Sequence, residues 1–178
     1  MEDVVQTTTG IIGISTFALT MISIPLYFIY SGPPPAKNIL LRILITMLLC
    51  TGLIAFMVGF RQIVIQTDAA YDWLATLCLS FGLAYVILVF VAAAIEAGAV
   101  LGREKRIDPT VIGSGGEGSL LIYGPIQRLM AASFLVVAGI IIRGAGMLPD
   151  WTGWIAFCIA LIQLLFVPTM DYKKEPSG

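Results

Sequence analysis

One carboxylate, Glu96, stands inside the longest apolar run of the chain, and no other acidic residue lies within any such run. An ionisable side chain in hydrocarbon must be paired, hydrated or moved between states, so it is a candidate for function by default. Glu96 could accept a proton or hold a cation. Two arginines near the ends of other runs, Arg42 and Arg128, could instead neutralise it. Gln163 is the one strongly polar side chain near the middle of a run, where it could bond a neighbouring helix or touch a substrate. Arg143 belongs with Arg61, Asp68, Asp72 and Asp150 to a charged fringe at the opposite ends of the runs.

Other chemistries lack their residues. Histidine is absent, which removes the usual neutral-pH base and the commonest zinc and haem ligand. Cys50, Cys78 and Cys158 fall in three different runs and read as small buried hydrophobes rather than a metal site. No lysine lies within a run, so a Schiff base is excluded. No nucleophile–base pair is visible, and no catalytic, cofactor or metal residue is assigned. Gly113, Gly115 and Gly118 have the spacing G-x-G-x-x-G, but a dinucleotide site needs a strand before the glycines and a helix after them. They follow a membrane helix by about ten residues and precede Pro125 by seven, so they read as a flexible linker. A net charge of −1 offers nothing to nucleic acid.

The chain that positions these side chains is 58% hydrophobic and 12% charged, about half the charge of a soluble domain. A helix rising 1.5 Å per residue crosses a ~30 Å hydrocarbon core in about 20 residues. Runs at 10–30, 39–60, 73–101 and 151–170 meet that length. A further run, 125–146, holds only residues 129–142 between Arg128 and Arg143. It spans if Pro125 opens the helix and both arginines snorkel to the headgroups. Otherwise it is interfacial and four spans remain. The expectation is an all-α single domain over residues 1–178, a bundle of five transmembrane helices with a loop at 102–124. Pro25 is expected to kink the first helix, and Asp150 to cap the last. Glu2 and Asp3 carry the wrong sign for a secretory signal, and the run behind them is too long.

Basic residues decide the orientation. Lys37, Arg42, Arg103, Lys105, Arg106, Arg128, Lys173 and Lys174 fall on one side, and Arg61 and Arg143 on the other. The positive-inside rule places the N-terminus outside and the C-terminus in the cytoplasm, in a plasma (inner) membrane. Trp73 and Trp151 mark the outer interface, and Tyr30, Tyr123 and Tyr172 the inner one. Glu96 lies 23 residues beyond Trp73, about 34 Å along the helix, at the inner interface rather than the midplane. Arg42 and Arg128 are expected at a similar depth, in an ion-pair cluster clamping the second, third and fourth helices. A cytoplasmic vestibule for a cation or proton is the functional alternative.

Packing signals lie close by. Ala93 and Ala97, and Gly98 and Gly102, are four residues apart, and small residues at that spacing let helices approach closely. They are expected to seat a helix of the same chain or of another. The run Met147-Leu-Pro-Asp-Trp151-Thr-Gly-Trp154-Ile-Ala resembles the start of the last helix in many small bacterial multi-pass membrane proteins of unknown function. Tyr71-Asp-Trp-Leu-Ala-Thr and Ile95-Glu-Ala-Gly98 are similar to the same group. The resemblance implies a multi-pass membrane protein and brings no activity, cofactor or catalytic residue.

The expected function is non-enzymatic: helix packing, as an oligomer or as an accessory subunit of a larger membrane complex. Its partners are then the lipid bilayer and other membrane helices. A small channel or carrier for an ion or solute, using Gln163, the outer arginines and Glu96, is one alternative. A membrane enzyme at the cytoplasmic interface, using Glu96 and Arg128, is the other.

Overall fold

The computed structural model describes residues 2–31, 34–101 and 122–165. All regular structure among the described residues is helical: α1 (Glu2–Leu26), α2 (Ala36–Thr67), α3 (Asp72–Leu101), α4 (Gln127–Ala145) and α5 (Asp150–Leu165). A 3-10 turn, Ala69–Tyr71, joins α2 to α3, and a π turn, Ile122–Ile126, leads into α4. Four segments are long and apolar enough to cross a membrane: Asp3–Leu26, Ala36–Thr67, Ala69–Gly98 and Gly124–Ala145. The short run between Arg128 and Arg143 is thus part of a helix of sufficient length. α5 is apolar but has 16 described residues, about 24 Å, less than a full crossing. Residues 166–170 of the last expected run, and most of the 102–124 loop with its glycines, lie outside the described residues.

The helix ends follow from local chemistry. α1 runs from Glu2 to Leu26 rather than over 10–30, and Pro25 stands in its last turn. Proline has no N–H to continue the ladder, so it ends the helix here instead of kinking it. Two tighter bonds close the end, from the Tyr27 N–H to the Ile24 carbonyl at 3.1 Å and from the Phe28 N–H to the Pro25 carbonyl at 3.0 Å. Pro35, in extended conformation, opens α2. Asp68 closes α2 through its N–H to the Val64 carbonyl, and its carboxylate accepts the Ala70 N–H at 3.0 Å. α4 stops at Gly146, whose φ of 63° is the left-handed conformation that glycine adopts freely. Asp150 lies inside the first turn of α5 rather than capping it, where its charge still suits the helix dipole. The Thr152 hydroxyl and N–H both reach back to the Pro149 carbonyl.

The helices pack in chain order, α1 on α2, α2 on α3, α3 on α4 and α4 on α5, so α1 and α5 stand at the two margins. Buried apolar clusters run along the middle of this row. Phe60, Val64, Ala75, Cys78, Val137, Ala138 and Ile141 fill the end near Arg61. Cys50, Met57, Val86 and Val89 fill the centre. Ile39, Ile43 and Ala93 fill the end near Glu96.

Candidate functional site

The Glu96 end gathers the strongest polar groups of the described residues. α2 begins there just after α1 has ended, and α3 ends there, so three helix termini meet. Arg42 lies one turn beyond Asn38 on α2, and both are buried. Arg42 Nη2 stands 3.6 Å from Glu96 Oε1, with the arginine side chain about nine-tenths buried and the glutamate about three-quarters buried. The guanidinium carbon sits 4.4 Å from the centre of the Tyr27 ring, a cation–π contact from the turn after α1. Asn38 Nδ2 donates to the Leu26 carbonyl at 3.3 Å. That carbonyl is available because the last carbonyls of a helix have no partner within it. Asn38 Oδ1 and Arg42 Nε are buried without a hydrogen-bond partner.

The pair joins α2 to α3. The sequence expectation extended it to α4 by placing Arg128 at a similar depth, but the register of α3 on α4 differs. Phe134 packs beside Gly82, and its carbonyl lies 3.7 Å from Cys78 Sγ. From that level Arg128 is six residues along α4, about 9 Å, and Glu96 is fourteen residues along α3, about 21 Å. Arg128 therefore falls about 12 Å short of Glu96 along the bundle. Relative helix register is a tertiary property that apolar run lengths do not encode.

At the opposite end Arg61 Nη2 pairs with Asp72 Oδ1 at 2.6 Å, and its Nε donates to Thr76 Oγ1 at 3.1 Å. Arg143, in the last turn of α4, lies with its guanidinium carbon 4.4 Å from the centre of the Trp154 ring. Its methylene stem covers Gly153. Gln163 is partly buried on α5. No group of three metal-binding side chains occurs among the described residues.

Ala93 and Ala97 pack toward Ile39 and Ile43 of α2. Gly98 faces open space, with nothing within 4 Å of where a Cβ would sit, and Gly102 lies outside the described residues. Further close approaches lie at other glycines. Gly139 and Gly153 set α4 against α5 so tightly that each would meet the other's carbonyl 3.1 Å from an added Cβ. Thr9 and Thr16 of α1 fill the spaces left by Gly59 and Gly52 of α2, in antiparallel steps of seven residues. Ser23, one step further along, is also buried. The signal for this seam was present as Thr9–Thr16–Ser23 and Gly52–Gly59 spacing. Tyr27 and Asn38 carried no signal beyond their nearness to the Pro25 helix end and to Arg42.

No family model matches the sequence, and no curated protein or solved structure shows significant similarity to it.

Proposed function

We propose that this chain is a non-enzymatic membrane protein that works by helix packing, as an oligomer or as an accessory subunit of a larger membrane complex. One observation carries the reading. Of the buried polar side chains among the described residues, Thr9, Ser23 and Asn38 belong to the contact of α1 with α2, and Arg42 joins Tyr27 after α1 to Glu96 of α3. They fasten helices together and do not line a route across the bundle. Both margins leave apolar helix faces open to lipid or to other helices, as at Ile14, Phe17 and Ile22 on α1 and Ile155, Ile159 and Ile162 on α5. The proposed topology has five spans, with 151–170 as the last, the N-terminus outside and the C-terminus in the cytoplasm of a plasma membrane. It rests on the asymmetry of basic residues. Cysteine labelling tests it: a thiol introduced at Ser114 reacts only from the cytoplasmic side, and reaction only from outside reverses the topology.

Co-purification from native membranes with mass spectrometry of partners tests the function. The expected result is a defined stoichiometric partner or a homo-oligomer. A stable monomer with no partner in mild detergent defeats the proposal. A small channel or carrier is the second reading, favoured by the partnerless Asn38 Oδ1 and Arg42 Nε beside the partly exposed Glu96. Solute flux into liposomes that Glu96→Gln and Gln163→Leu both leave unchanged removes that reading.

A further inference from the structure

A groove of about 240 Å³ opens between α3, α4 and α5. Phe81, Leu129, Ala132, Ser133, Val136 and Leu164 are among the residues lining it, and only Ser133 is polar. Leu129, Val136 and Leu164 at its rim are more than a third exposed, so it opens sideways toward lipid rather than into the bundle. Arg128 directly precedes Leu129, the first lining residue on α4. It precedes Ala132 and Val136 at successive four-residue steps, which places the three on one face of α4. Long side chains on a helix lean toward its N-terminus, here away from the groove and toward the membrane surface.

We propose that Arg128 and this groove form a binding site for an anionic phospholipid, with the phosphate at the guanidinium and one acyl chain lying in the groove. The apolar lining favours a lipid over a free anion. From Arg128 to Val137 is nine residues, about 14 Å along the axis, room for part of an acyl chain. The chemistry runs in the same order, a cation at one end and apolar walls below it. Five N–H donors on a guanidinium let it hold a protein neighbour and a phosphate together. The site is independent of which end of the bundle faces the cytoplasm and of any partner subunit.

The test is native mass spectrometry of the full chain in detergent, titrated with phosphatidylglycerol and with phosphatidylcholine of identical acyl chains. Phosphatidylglycerol is retained about fivefold better, the worth of one basic side chain against an anionic headgroup. Arg128→Gln abolishes the preference and Arg128→Lys keeps it. Arg143→Gln, at the other end of α4, leaves it unchanged. Val136→Phe, which fills the groove from its rim, lowers retention of both lipids. Should that variant not fold, Leu129→Ser, which makes the wall polar, does the same. Equal retention of the two lipids by the unaltered chain, or a preference that survives Arg128→Gln, overturns the proposal. So does retention indifferent to the groove substitutions.

Discussion

Along α1 and α2, Gly52 and Gly59 receive threonine side chains, whereas at the crossing of α4 and α5, Gly139 and Gly153 bring two backbones together. The first contact is polar and spread over seven-residue steps. Thr16 donates its hydroxyl to the Ile12 carbonyl at 2.8 Å and Ser23 donates to the Thr20 carbonyl at 2.8 Å, so these hydroxyls are satisfied within α1. They contribute shape rather than bonds to α2. The second contact is apolar and compact, with Phe157 against Gly139 and the Arg143 stem against Gly153. Apolar surface gives no drive to associate when lipid is equally apolar, so dispersion and hydrogen bonds must hold helices together. α4 gains these from both α3 and α5. α1 gains them mainly from one face of α2 and from the Tyr27–Arg42 and Asn38–Leu26 contacts at its end. The difference makes α1 the helix most easily exchanged for another surface.

The largest expected effect lies at the compact crossing. Gly139→Leu drives carbon into Phe157 and the Gly153 carbonyl, and costs about 3 kcal/mol. The check is thermal unfolding in detergent, where α4 and α5 both lose hydrogen-exchange protection. An equal loss of protection in α1 would erase the contrast between the two contacts. Next comes Arg42→Met, at about 2 kcal/mol, because it leaves a largely buried Glu96 without its cation and removes the stack on Tyr27. Glu96→Gln costs less, about 1 kcal/mol, since Arg42 keeps its stack on Tyr27 and the amide keeps the shape of the carboxylate. If neither variant lowers stability, the pair is not what holds this end.

Gly59→Ala pushes a methyl into Thr9 and costs about 1–2 kcal/mol, with loss of exchange protection confined to α1. Thr9→Gly in the same chain restores most of it, and a double-mutant cycle showing no coupling would separate the two residues. The smallest effect is at Gly98, where Leu meets open space and changes the stability of the isolated chain by less than about 0.5 kcal/mol. A larger loss in native membranes, absent from the purified monomer, would place another helix against that face.

The helices were legible because long uncharged runs leave a membrane chain few alternatives, and counting residues from Trp73 brought Glu96 and Arg42 to the same end. The axial offset between Arg128 and Glu96 is set by Phe134 against Gly82, a contact between distant positions that run lengths do not encode. The packing expectation rests on the four-residue spacing of Ala93 with Ala97 and of Gly98 with Gly102, and Ala93 and Ala97 pack on α2. Other tight approaches use Gly139 with Gly153, fourteen residues apart across a turn, and a threonine–glycine register split between two helices. The seven-residue spacings are visible along each helix, but which threonine meets which glycine, and that Gly139 meets Gly153, follows only from the packing.

The serial order of the row has a consequence for biogenesis. Each helix has its principal neighbour one connection away in the chain, so the native contacts are sequence-local, the arrangement that forms fastest. α1 can dock as soon as α2 has left the ribosome, without waiting for α5. Assembly during synthesis then proceeds hairpin by hairpin from one margin to the other, and a chain halted after α3 already holds the Arg42–Glu96 contact.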